Sequence, residues 1–155
     1  MQIIDLLTPS RVVVDARATS KKRLLESLAA LLDDRHDPAS ERAIFESLVR
    51  RERLGSTGLA HGIAIPHGRS AEVDRATGAF IRLAEPLEFD SLDRQRVDLI
   101  FGLVVPEHFT DQHLMFLADL AELFSDPGIT ARLRSATDAR AVYAILTGGR
   151  ERHAA

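Results

Sequence analysis

The 155-residue sequence contains no cysteine and no tryptophan. Without thiols it has no disulfides, no thiolate metal site and no cysteine nucleophile. Aromatic residues make up only 5%, which leaves few flat platforms on which single-stranded nucleic acid stacks. Positive charge is not in excess either: 20 Lys+Arg against 23 Asp+Glu give a formal net charge of −3. A general nucleic-acid binder carries a basic excess to neutralise phosphates, so no nucleic-acid partner is expected. No apolar run approaches the ~20 residues of a membrane-spanning helix. The start, Met1-Gln2-Ile3-Ile4-Asp5, lacks a basic segment and a long apolar core, so no secretory signal is expected. The P-loop pattern G-x-x-x-x-G-K followed by Ser or Thr is missing, and the G-x-x-G pieces are too short for a dinucleotide fingerprint. These absences fit a cytoplasmic protein.

What is present is ordinary for a globular chain: 45% apolar and 28% charged residues. The length suits one domain, because domains commonly run to ~100–200 residues. We expect a single domain over residues 1–155, with a core at about 3–147 and a flexible tail at 148–155. Residues 11–15, a β-branched run, read as a strand. Ser20 opens a helix to about Leu32 with a leucine stripe at helical spacing. Asp37-Pro38 supplies a cap and a first-turn proline for a second helix to about Arg53, burying Ile44, Phe45, Leu48 and Val49. The cluster Arg50, Arg51 and Arg53 suits the negative end of that helix.

Further strands are expected at 63–65, 78–83, 87–89 (after a turn at Glu85-Pro86) and 97–105, the last apolar enough for an interior strand. Thr110 is expected to cap a helix over 111–124 with Leu114, Leu117, Leu120 and Leu123-Phe124 in the core. A short helix over 129–134 follows, and a last one runs from Thr137-Asp138 to a glycine stop at Gly148-Gly149. The fold class is therefore α/β: a single mixed sheet of about five strands flanked by helices, an α/β sandwich.

Most functional information lies in Gly55-Ser56-Thr57-Gly58-Leu59-Ala60-His61-Gly62-Ile63-Ala64-Ile65-Pro66-His67-Gly68. The triplet Ile63-Ala64-Ile65 reads as a buried strand. Pro66 fixes φ and has no N–H, so the chain is expected to leave the strand stiffly and project His67 from its end. Hydroxyls at Ser56 and Thr57, accessible N–H groups at the glycines, and Arg51 just upstream are donors suited to an oxyanion. His36 and His153 read as solvated. His61 does not fit the helical H-E-x-x-H pattern of zinc hydrolases. A zinc site from His61, His67 and His113 is not expected, since the sequence places no carboxylate to orient them.

This segment resembles the active-site signature of phosphotransferase-system enzyme IIA proteins, type 2, the fructose/mannitol/nitrogen-regulatory branch. The resemblance is carried by Arg51-Glu52, Gly55-Ser56-Thr57-Gly58 and Gly62-Ile63-Ala64-Ile65-Pro66-His67-Gly68, and runs from about Ile3 to Leu146. It implies that His67 accepts a phosphoryl group (at Nε2 in relatives) and that Arg51 is the active-site arginine. His113, after Leu103-Val104-Val105-Pro106, is the implied second histidine. Ser56, Thr57, Gly58 and Gly68 become candidate phosphate-binding positions. Ala60 and His61 depart from the usual residues there.

The resemblance implies no metal, nucleotide or other cofactor. It implies a phosphohistidine carrier protein (HPr- or NPr-like) as donor. The chain carries no cysteine for a IIB step and no membrane span, which favours the nitrogen-regulatory members, whose phosphorylation state controls partners such as potassium-transport or sensor-kinase components. The alternatives are a free-standing sugar-specific IIA component passing phosphate to a IIB cysteine, and an interaction module without chemistry.

Overall fold

The computed structural model describes residues 3–109 and 111–154, the side chains of 111, 112 and 149–154 excepted. The chain enters through two 3₁₀ turns, Ile3–Asp5 and Pro9–Arg11, and strand β1 (Val12–Ala16). Helix α1 (Lys21–Leu32) begins where expected, the Ser20 side chain accepting from the Arg23 N–H. It buries Leu24, Leu25, Leu28 and Leu32 along one stripe, each contributing roughly 1.5–3 kcal/mol relative to an exposed leucine. Asp37 caps helix α2 (Pro38–Arg53) through the Ser40 N–H, with Pro38 in the first turn. The buried Asp33 carboxylate secures that junction by accepting from Ser40 Oγ (2.6 Å) and from the N–H groups of Arg35 and Asp37. Ile44 and Leu48 are buried on α2, while Phe45 and Val49 are half-buried.

Five strands make one mixed sheet: β1, β2 (Ile63–Ala64), β3 (His67–Ser70), β4 (Thr77–Leu87) and β5 (Val97–Pro106). The order is β1-β4-β5, with β2 and β3 sharing the far side of β5. β5 is parallel to β2 and β3 and antiparallel to β4. Helices α3 (Asp111–Phe124), α4 (Pro127–Ser135) and α5 (Ala139–Ala154) follow. Alternation along β5 divides the core in two. Leu99, Phe101, Leu103 and Val105 pack towards α3–α5, whereas Ile100 and Val104 pack with α1 and α2. A Cβ at Gly102 would lie 2.8 Å from Leu28 Cδ2, so this glycine lets α1 settle on the sheet.

Four expectations need correction. The polar run His67-Gly68-Arg69-Ser70 does not leave the sheet after Pro66; it forms β3, registered on Leu103-Val104-Val105-Pro106. Glu85-Pro86 is not a turn, and residues 87–89 are not a separate strand: β4 runs through to Leu87. Proline is tolerated there because the β4–β5 register shifts between Arg82 and Leu87. In α3, Leu114 is 66% exposed and Phe116 is buried in its place; the inward stripe is His113, Phe116, Leu120 and Leu123-Phe124. Finally, α5 continues through Gly148 and Gly149 to Ala154. Gly55 and Gly62 are the only glycines with positive φ among the described residues, so the left-handed turn of a glycine stop is not made at Gly148. Thr110, expected as the α3 cap, lies outside the described residues.

Candidate active site

Pro66 interrupts the edge of the sheet between β2 and β3, and its carbonyl accepts the Leu103 N–H at 3.0 Å. That bond fixes where β3 begins, and His67 is its first residue, paired with Leu103. The His67 residue is only 8% exposed, and its Nδ1 lies 2.8 Å from the Ile65 carbonyl oxygen. A carbonyl can only accept, so Nδ1 carries the proton and Nε2 carries the lone pair. Burial lowers the His67 pKa below the ordinary 6.5; the Ile65 hydrogen bond and Glu52 oppose this, and Arg51 adds to it. At neutral pH the ring is neutral, with a nucleophilic Nε2.

His113, the third residue of α3, stands edge-on to it. The ring centroids are 5.1 Å apart and the planes meet at 87°. His113 is likewise buried, and its Nδ1 has no hydrogen-bond partner among the described residues. An orphaned N–H is rarer in proteins than an under-used acceptor, which puts the His113 proton on Nε2. Burial, followed by the nearness of His67, Arg69 and Arg51, lowers its pKa to about 4. Two neutral rings thus meet, one offering a lone pair and the other an N–H.

Arg51 comes from the last turn of α2 and donates from Nη1 to the Gly55 carbonyl at 2.8 Å. The bond turns the guanidinium back over the loop, in the field that both rings feel. A buried nucleophilic imidazole, a second neutral imidazole and a guanidinium form a site for moving an oxyanion onto nitrogen. The sequence profile described as "Phosphoenolpyruvate-dependent sugar phosphotransferase system, EIIA 2" matches residues 5–148. The chain belongs to that EIIA family.

Its relatives narrow the branch. The chain is 41% identical to the nitrogen regulatory protein of Bradyrhizobium diazoefficiens over 94% of its own length and 95% of that protein's. It is 42% identical to the Pseudomonas aeruginosa nitrogen regulatory protein over the same shares of the two chains. The crystal structure of nitrogen regulatory protein IIA-Ntr from Neisseria meningitidis superposes with a TM-score of 0.86 at 49% identity, covering 92% of this chain and 97% of that one.

Within this EIIA site the residues separate into two sets. His67, His113 and Arg51 come together; the small-residue loop serves the fold. Ser56 Oγ donates to the Phe89 carbonyl at 2.7 Å and accepts from the Gly58 N–H. Thr57 gives both its N–H and its hydroxyl to Glu52, at 3.0 and 2.6 Å. The donors expected to meet phosphate at Ser56, Thr57 and Gly58 already have partners inside the protein. Gly68 is required by packing, since a Cβ there would sit 2.6 Å from Ser47 Oγ on α2. Loop residues fold back on β2, with Leu59 N–H bonded to the Ile63 carbonyl and Ile65 N–H to that of Thr57. His61, at the tip with φ +64°, is tied to Asp93 and Arg134 rather than to the histidine pair. Among the described residues no three His, Asp or Glu side chains are grouped to hold a metal, and no helix is long and apolar enough to cross a membrane.

Sequence reasoning missed Glu52 as an organiser. Its side chain is 6% exposed and also takes Lys21 Nζ at 3.0 Å. In the sequence it stood only as the second residue of the Arg51-Glu52 pair that helps carry the family resemblance, with no role attached.

Proposed function

We propose that His67 Nε2 takes a phosphoryl group from the phosphohistidine of a small carrier protein. In this reading the phosphorylation state of the EIIA protein governs cytoplasmic partner proteins in regulation of the nitrogen or potassium type. One observation carries it: the hydrogen bond from His67 Nδ1 to the Ile65 carbonyl, which leaves Nε2 as the free nucleophile of a buried, neutral ring. In the transfer, the bond from phosphorus to the donor nitrogen breaks as the Nε2–phosphorus bond forms. The donor ring, protonated on its other nitrogen, leaves as neutral imidazole. His67 keeps its Nδ1 proton and becomes positively charged, and the Ile65 carbonyl accepts more strongly from that charged ring.

Charge in such a transition state lies on the equatorial oxygens, and catalysis is mainly positioning and electrostatic stabilisation. Arg51 supplies the cation, and the His113 N–H supplies a neutral donor that does not compete for the phosphorus. The regulatory reading is supported by relatives called nitrogen regulatory proteins that match along almost their entire length. Incubation with a radiolabelled phosphohistidine carrier tests the chemistry. Label on the parent and none on a folded His67→Ala variant is expected; label retained by His67→Ala refutes the assignment.

A further inference from the structure

A broad cleft between α1 and α2 is lined by Lys21, Phe45, Val49 and Arg53. A smaller one, about 190 Å³, is lined by Ser47, Arg50, Arg51, Leu54 and Arg69. That is below the ~300 Å³ of a pocket for drug-sized ligands and suits a small oxyanion. Three guanidinium groups and no carboxylate line it. Arg50 and Arg51 belong to the last turn of α2, where the helix dipole accounts for them. Arg69 has no such explanation, since it arrives from β3.

Arg69 is exposed, and among the described residues it has no ion pair or side-chain hydrogen bond. Arg69 also lines an adjoining cleft with Glu46, Glu72 and Glu107; Glu46 is engaged by Arg42 and Glu72 by Arg35, and among the described residues none of the three pairs with Arg69. Two positions separate Arg69 from His67 on the same strand, so both side chains leave the same face, about 6.6 Å apart along the chain. A guanidinium reaches across that spacing with ease. Its charge is also one of those felt at the His113 ring.

We propose that Arg69 is a second guanidinium of the phosphoryl site, which joins Arg51 in holding the oxygens of the group carried on His67 and so prolongs the life of the phosphohistidine. The inference rests on the proposed function. The three guanidinium groups of the small cleft, none of them in a direct ion pair among the described residues, repel each other in the unmodified protein, and a dianionic phosphoryl group offsets that repulsion. Arg69 thus favours the phosphorylated state over the free one, in addition to any effect on the rate of transfer.

The test compares the full chain with its Arg69→Gln, Arg69→Lys and Arg53→Gln variants, each phosphorylated by labelled carrier. The carrier is then removed and the decay of phosphohistidine is followed. Arg69→Gln is expected to shorten the lifetime about tenfold, well short of the ~10³-fold or more of an arginine that alone meets transition-state charge. Arg69→Lys should restore most of it by returning the charge. Arg53→Gln removes an equal charge that does not line this cleft and should leave the lifetime unchanged. An unaltered lifetime in Arg69→Gln, or equal losses in Arg69→Gln and Arg53→Gln, overturns the proposal. If the parent itself takes no label at His67, the proposed function fails and this inference falls with it. Normal labelling of the parent with an indifferent Arg69 sinks the inference alone.

Discussion

Replacing Glu52 by glutamine isolates what organises the site, because the shape is kept and only the charge is lost. The carboxylate is 6% exposed and accepts from Lys21 Nζ at 3.0 Å, from the Thr57 N–H at 3.0 Å and from the Thr57 hydroxyl at 2.6 Å. A glutamine has one acceptor oxygen, so its NH₂ group must face a donor that previously met the carboxylate. Removing one partner of a buried pair costs ~3–5 kcal/mol when the other charge is stranded. Lys21 is not fully stranded: it is 22% exposed, retains Asp90 at 3.6 Å and lies 4.4 Å over the Phe89 ring. The low end of the range therefore applies, about 3 kcal/mol. For a chain of this size that is a fall of ~6–12 °C in Tm. Urea unfolding at pH 7 reads the free energy directly, and a double cycle with Thr57→Val reads the coupling. A Glu52→Gln loss under about 1 kcal/mol, the net worth of an ordinary hydrogen bond, refutes the view that this carboxylate holds the loop to α2.

Two further outcomes are expected. Gly68→Ala brings a methyl within 2.6 Å of Ser47 Oγ and 2.9 Å of the Ser47 backbone; overpacking of that kind costs ~1–3 kcal/mol, measurable by thermal melt, and a neutral melt would show that α2 and β3 part easily. His113 has a folded pKa of about 4 against an ordinary 6.5, so between these values the unfolded chain binds the extra proton and acid favours unfolding. The contribution of neutral His113 is present above pH 6.5 and is lost as pH falls towards 4, on the order of 3 kcal/mol in all. His113→Asn should flatten that part of the stability curve; an unchanged slope contradicts the burial of the ring as the cause.

Where local rules decide, the fold was legible in the sequence. Ser20 and Asp-Pro capping, the leucine stripe of α1 and the apolar run of β5 all act within a few residues. What escaped depends on partners distant in the chain. β3 is four residues without an apolar pattern, and it is a strand because β5 offers it an edge. Pro86 sits inside β4 because the pairing shifts register around it. Leu114 was assigned to the core on hydrophobicity, yet α3 turns the polar His113 inward, an inversion explained by the ring it meets. The site followed the same division. His67, Arg51 and His113, picked out by their motif, are brought together by the fold, whereas the hydroxyls of Ser56 and Thr57, expected to meet a ligand, are bonded to Phe89 and Glu52. Only the folded chain shows that the Phe89 carbonyl and a carboxylate next to Arg51 have already claimed those donors.

The central claim is that Nδ1 of His67 is locked to a carbonyl and Nε2 is free to receive phosphorus. Phosphorus–nitrogen coupling in the phosphorylated protein, labelled with ¹⁵N at histidine, tests it most directly. The expected result is a single phosphorus coupled to His67 Nε2, with the Nδ1 proton still present. Coupling to Nδ1, or to a ring nitrogen of His113, would contradict it.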